Sequence, residues 1–273
     1  MSEVPRCGVT AVLTDRTPPV TVFARAVEER GLHAMWLPDH THIPVARRSP
    51  YPLGGALPEA YTRLLDPLVA LAMAAAVTDR IRLGTGILLA AQRDPIVTAK
   101  ALATLDQQSG GRLRVGVGFG WNIEEAANHG VPAAHRRPRT REHVLAMRRL
   151  WEDDVAVHAR LAPSWSWPKP AQRPLPVLVG GAPTDTVFAH VVEYAQGWIP
   201  LGGHGLSSAV RRLHALAERA GRDPATVRVV PFTALPRDES KLDALHRAGA
   251  TEIAVAVDPN GPDLDHLANL LSR

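Results

Sequence analysis

Short β-forming runs alternate with helical patterns along the whole chain, and this alternation constrains the fold more than any other feature. The first run is Cys7 to Leu13. A helical segment follows, with Val20, Phe23 and Val27 on one face and Arg25, Glu28 and Glu29 on the other, and it stops at Gly31. Further runs cover His33 to Leu37, Ile81 to Leu89, Leu113 to Phe119, Val177 to Val179, Trp198 to Leu201, Val227 to Phe232 and Ile253 to Val257. Helices are predicted over about 66–78, 95–108, 122–128, 138–152 and 184–195. Three more carry Leu206, Val210 and Leu213, then Leu242 and Leu245, then Leu264, Leu267 and Leu271.

Eight strand-plus-helix units imply a parallel sheet. That number in 273 residues favours a closed (β/α)8 TIM barrel over an open doubly wound sheet. No linker divides the chain, so residues 1–273 are predicted to form a single α/β domain. Two stretches break the rhythm. One is a polar, Pro/Gly-rich loop over about 41–62, a length that points to function or mobility. The other is the proline-rich segment 153–175, which has room for a short hairpin.

Apolar residues are 45% of the chain and charged residues 21%, an ordinary soluble balance. No apolar run reaches the ~18 residues of a membrane span. The start MSEVPRCGVT lacks the apolar stretch of a signal peptide, so a cytoplasmic location is expected. Cys7 is the one cysteine and sits in the first apolar run, which predicts a buried thiol. The net charge is +4, but lysine occurs only at 100, 169 and 241. The densest basic stretch, His135 to Arg141, has no interleaved aromatics, so nucleic acid is not expected as a partner. That stretch is either a solvated helix start or an anion contact.

A barrel places its chemistry at the C-terminal ends of its strands. The second run closes with Pro38-Asp39-His40-Thr41-His42. Proton handling, cofactor contact, metal ligation by His-x-His and plain loop histidines all remain open there. The third run holds Gly84-Thr85-Gly86, which marks a bulge or a close backbone approach. The fourth ends Gly116-Val117-Gly118-Phe119-Gly120-Trp121-Asn122. Its glycines suit a planar ring, an anion or close packing, and their spacing is not a dinucleotide fingerprint. The fifth ends Gly180-Gly181-Ala182-Pro183-Thr184 and opens a helix at once, which is either an anion site or a plain turn. No G-x-S-x-G elbow and no Walker motif occurs.

Three stretches resemble the bacterial-luciferase-like monooxygenase family, and within it the F420-dependent oxidoreductases. They are GLHAMWLPDHTHIP, then Asp66 to Trp151 with RIRLGTGILLAAQRDPIVTAKALATLDQQSGGRLRVGVGFGWNIEE, then WPKPAQRPLPVLVGG running on to GWIPLGG. The resemblance spans most of residues 30–205 in family order; residues 206–273 fit the barrel and add little. It implies a cytoplasmic barrel, dimeric or larger, that holds coenzyme F420, or alternatively FMN, at its mouth. It also implies a non-prolyl cis peptide at Gly86-Ile87 against one ring face. Asp39 and His40 would lie near the ring. Gly118, Gly120 and Trp121 would run beside the ring and its side chain. Gly181, Ala182 and Thr184, with Gly180, would meet the phosphate, and Arg139 and Arg141 would meet the phosphate or the F420 tail.

The family's sugar-phosphate dehydrogenases carry a carboxylate where this chain has Trp121, so sugar phosphates are not expected. The connection between the seventh and eighth strands is trimmed to one helix, which leaves a more open pocket. The leading reading is hydride transfer between F420 and a small organic substrate, with His40 as proton donor and Asp39 setting its tautomer or binding the ring edge. A reduced-FMN monooxygenase fed by a partner reductase is the first alternative, and a cofactor-free binding barrel the next. A metal-dependent hydrolase would need ligands at Phe119 and Gly180, which cannot supply them, so no metal is assigned.

Overall fold

The computed structural model describes residues 6–159 and 161–272. Its strands are β1 (Cys7–Thr10), β2 (Ala34–Leu37), β3 (Arg82–Leu88), β4 (Leu113–Val117), β5 (Ala156–His158), β6 (Leu161–Ser164), β7 (Val177–Gly180), β8 (Gly197–Ile199), β9 (Arg228–Val229), β10 (Phe232–Ala234) and β11 (Ile253–Ala256). Its α-helices are α1 (Val20–Glu29), α2 (Pro67–Ala75), α3 (Pro95–Gln108), α4 (Ile123–Asn128), α5 (Arg136–Glu152), α6 (Asp185–Tyr194), α7 (Leu206–Arg219), α8 (Ser240–Arg247) and α9 (Asp263–Leu271). Nine strands form one parallel sheet in the order β10-β11-β1-β2-β3-β4-β7-β8-β9. The predicted hairpin in the proline-rich segment is β5–β6, a separate antiparallel pair.

The predicted seventh strand is two strands. It divides at Val230–Pro231, because a proline has no N–H to give the ladder. β9 pairs with β8, while β10 pairs with β11 at the other end of the sheet. The two ends of the curled sheet therefore lie on one segment, 228–234. The Val230 and Phe232 amides still donate to Trp198 O and Pro200 O, both at 2.9 Å.

Two apolar layers result. The larger lies between sheet and helices; the smaller fills the inside of the sheet with Trp36, Leu178, Ile199, Val230 and Phe232. Strand side chains alternate faces, so every second residue points inward. Gly116 takes one inward position and a Cβ there would lie 2.2 Å from the Thr85 carbonyl oxygen. A backbone atom cannot turn aside, so Gly116→Ala is expected to destabilise the chain by about 1–3 kcal/mol, read from urea unfolding. Cys7 is buried, and burial first and Glu252 second push its thiol up to about 12. Among the described residues, no helix is long and apolar enough to cross a membrane.

Candidate active site at the strand C-termini

β2 ends at Leu37, and the chain turns over the sheet's rim through Asp39 and His40, both buried. The His40 ring is held at both nitrogens. Nε2 lies 3.1 Å from the Trp121 indole nitrogen, and Nδ1 lies 2.6 Å from Glu125 Oε2. An indole N–H can only donate, and a neutral imidazole has one N–H. The proton is therefore on Nδ1, and the Glu125 carboxylate accepts it. Glu125 is fully buried and also accepts from the Thr41 amide at 3.0 Å.

Asp39 does something else. Its carboxylate accepts from the Leu89 amide at 2.9 Å and from Arg93 Nε and Nη2 at 3.0 and 2.8 Å. Arg93 Nη2 also donates to Asp66, which caps α2. Burial lowers the Arg93 pKa, but the bonds to Asp39 and Asp66 outweigh it and the net shift is upward. Asp39 thus ties the ends of β2 and β3 to α2. The contact that orders the His40 tautomer comes from Glu125, not from Asp39.

The bulge falls where the sequence places it. Pairing between β3 and β4 shifts register between Thr85 and Leu88, and Gly86-Ile87 is a cis peptide. Ile87 then fills space expected for a cofactor. A Cβ on Gly118 would lie 1.7 Å from Ile87 Cδ1, and one on Gly180 would lie 2.9 Å from Ile87 Cγ2. Both glycines make room for Ile87. Gly120 has φ 72° and its carbonyl accepts from Arg136. The Gly181 amide is spent on Ile199 O, while its carbonyl accepts from Trp198 Nε1. Ala182 and Thr184 are exposed at the start of α6, and Thr184 caps it through Val187 N at 3.3 Å.

The basic stretch divides. Arg139 reaches Gly130 O at 3.4 Å, and Arg141 pairs with Glu193. The arginines that reach the β4 turn are Arg136, on the Gly120 carbonyl, and Arg137, whose guanidinium lies 5.6 Å over the Phe119 ring. A residue-by-residue reading missed both. It also missed Glu125, which reads as an ordinary acid in the first turn of α4.

A cavity of about 690 Å³ opens beside the bulge. Its wall is mainly apolar, with Ala11, Val12, Pro38, Tyr61, Phe232 and Val257, and it carries charges at Arg16, Glu59, Arg63 and Asp258. Of the predicted cofactor residues, Gly86 alone lines it. An aromatic wall of His40, Tyr51, Tyr61 and Trp121 stands next to it, with ring centroids 5.3–6.1 Å apart.

Tyr51 belongs to the long loop, and Glu124 anchors that loop. Glu124 accepts from the Arg48 amide at 2.8 Å and from the Ser49 hydroxyl at 2.6 Å. The Ser49 hydroxyl first, then the Arg48 amide, hold the Glu124 carboxyl down at about 2. A depressed acid stabilises above its ordinary range and loses that contribution as pH falls through its folded value. The loop is therefore expected to stay docked at every ordinary pH. Glu124→Ala is expected to release it, with several-fold faster limited proteolysis and lost amide protection over 46–51.

A curled parallel sheet with a buried histidine–glutamate pair, an aromatic wall and an apolar cavity at its rim defines an α/β scaffold whose candidate site lies at the strand C-termini. The model of the luciferase-like monooxygenase family matches residues 10–269, and the chain belongs to that family, whose members are oxidoreductases and monooxygenases. An uncharacterised protein of Mycobacterium tuberculosis is 40% identical over 264 residues, covering 94% of this chain and 93% of that protein. A phthiodiolone/phenolphthiodiolone dimycocerosates ketoreductase of the same species is 30% identical over 244 residues, covering 80% of this chain and 62% of the other. Two solved structures share the fold. An F420-dependent secondary alcohol dehydrogenase in complex with an F420-acetone adduct superposes with TM-score 0.80 at 17% identity, over 99% of this chain and all of that one. The oxygenating constituent of 3,6-diketocamphane monooxygenase from Pseudomonas putida, in complex with FMN, superposes with TM-score 0.66 at 16% identity, over 86% of this chain and 69% of that one.

Proposed function

We propose that this chain is an F420-dependent oxidoreductase that moves a hydride between the cofactor and a small, largely apolar alcohol or ketone, on a (β/α)8 barrel closed through segment 228–234. The observation that carries it is the buried His40 ring at the rim, fixed with its proton on Nδ1 against Glu125 and its Nε2 accepting from the Trp121 indole.

The residues fit a flavin-type ring with a phosphate. Asn122 Nδ2 and Gln92 Oε1, on the loops after β4 and β3, are buried polar atoms without a protein partner. The α6 N-terminus, beside Ala182 and Thr184, has first-turn amides that suit an anion. A deazaflavin bound there supplies the hydride acceptor or donor. Gly86 and Ile87 would support the ring, and the apolar cavity beside Gly86 would take the substrate and exclude water.

His40 serves as the acid–base group. When an alcohol is oxidised, its hydroxyl proton goes to Nε2 after the Trp121 indole turns away, and Glu125 stabilises the resulting imidazolium. In the reverse direction the same nitrogen gives the proton to the carbonyl oxygen as the hydride arrives, which is the donor role expected from sequence. Asp39 holds the rim rigid through Arg93.

The protein would be titrated with F420 and, separately, with FMN, followed by fluorescence quenching. Micromolar F420 binding with weak FMN binding supports the proposal. Tight FMN binding, with oxygen uptake when the flavin is reduced, replaces it with the monooxygenase reading, which the FMN-bound structural neighbour favours. Binding of neither removes the cofactor roles. A homodimer and a cytoplasmic location go with the proposal.

A further inference from the structure

A second cluster lies two residues beyond His40; it shares Glu125 with the His40 pair, and hydride transfer makes no use of its two histidines. His42, Glu125 and His129 each offer one ligand atom, and the three atoms lie within 4.8 Å of one another. They surround a single oxygen. The Thr41 hydroxyl is 2.9 Å from His42 Nδ1, 2.7 Å from His129 Nε2 and 3.4 Å from Glu125 Oε1. A hydroxyl has one proton to give, so it can donate to only one of three converging groups. A cation at that point would take a lone pair from all three.

We propose that His42, Glu125 and His129 form a divalent-cation site, with the Thr41 hydroxyl standing where the cation would bind. Two imidazoles and one carboxylate, with coordination positions left open, are a ligand set suited to zinc. Two nitrogens out of three disfavour magnesium and calcium, which take oxygen ligands.

The surroundings support ligation. Glu125 is a fully buried carboxylate, and it is anchored from outside the cluster by His40 Nδ1 at 2.6 Å and the Thr41 amide at 3.0 Å. Ligands of bound metals are oriented in this way by outer hydrogen bonds. His42 Nε2 has a partner in the Asn128 side-chain amide at 2.8 Å. Amide oxygen and nitrogen are interchangeable assignments. With the oxygen turned inward, Asn128 accepts Nε2–H and leaves the His42 Nδ1 lone pair for the cation. Zinc bonds of ~2.0–2.2 Å require the three atoms to draw together. His42 lies on the rim loop and His129 caps the end of α4, and both are partly exposed, so the imidazoles move while Glu125 stays.

The site does not depend on which cofactor the chain uses, and its test reads binding alone. Full-length protein stripped with chelator would be titrated with Zn2+ against a chromophoric competitor, with zinc counted by elemental analysis. Co2+ would be added separately to read its visible ligand-field bands. The expected result is one tight equivalent per chain. His42→Ala and His129→Ala should each weaken it by at least ~100-fold, since losing even an outer-shell partner costs a metal site 10- to 100-fold. His135→Ala, an exposed histidine outside the cluster, should leave it unchanged. Thr41→Ala should preserve or tighten binding, which a hydrogen-bonded hub without metal would not do. Should an alanine variant fail to fold, His42→Gln and His129→Gln take its place. Absence of a stoichiometric equivalent, or binding that survives both histidine substitutions, overturns the proposal.

Discussion

His40→Ala is expected to slow hydride transfer by roughly 100- to 10,000-fold, the usual contribution of a positioned acid–base group. The loss should appear in kcat and in kcat/KM alike, because the ring acts on the proton in flight and contributes little to holding the substrate. Stopped-flow absorbance of the cofactor under single-turnover conditions reads the step itself. Trp121→Phe separates the ring from its neighbour. It keeps the aromatic wall but removes the indole N–H that occupies Nε2, so turnover should stay within a few-fold of the parent. Wild-type rates in His40→Ala would remove the acid–base role, and a collapse in Trp121→Phe would show that the indole contact is needed to position the ring.

Arg93→Ala is expected to destabilise the protein by about 3–5 kcal/mol, the range for stripping one partner from a buried ion pair. Asp39 has 1% of its side chain exposed and receives two of its three hydrogen bonds from Arg93. The Leu89 amide alone would be left to face a buried carboxylate. The pair Arg93→Ala with Asp39→Asn should recover a large part of the loss, because the amide carries no charge. Urea unfolding of the two single variants and the double measures the coupling. A single-variant loss under about 1 kcal/mol, the scale of an exposed ion pair, would mean that Asp39 finds water or another donor.

Much of the element order was legible because it rests on local pattern. The strand and helix runs alternate as the 2- and 3.6-residue periods require, and Pro95–Gln108 forms the predicted third helix to the residue. Strand ends were less legible. The fourth run reads as strand through Phe119, yet β4 stops at Val117, because beyond it the chain turns to build the rim. The seventh run reads as one strand, apolar but for Arg228, yet it serves both ends of the sheet from either side of Pro231.

The site was legible in type and place rather than in pairing. The Pro38-Asp39-His40 motif lies at the strand C-termini, and the bulge and cis peptide fall at Gly86-Ile87 as expected. The sequence pattern by itself determined the parallel sheet, the Gly-rich strand ends and the histidines at the mouth, since these follow from period, turn chemistry and residue type. Tertiary structure decided which acid meets which base. Glu125 lies 85 residues from His40, while Asp39 is adjacent to it in the chain. Neighbours along an extended turn point in different directions, so Asp39 faces Arg93 and the sheet, and His40 faces α4. The same argument holds for the glycines. Composition shows that Gly118 and Gly180 lack a side chain, but only the folded sheet shows that Ile87 fills the space they leave.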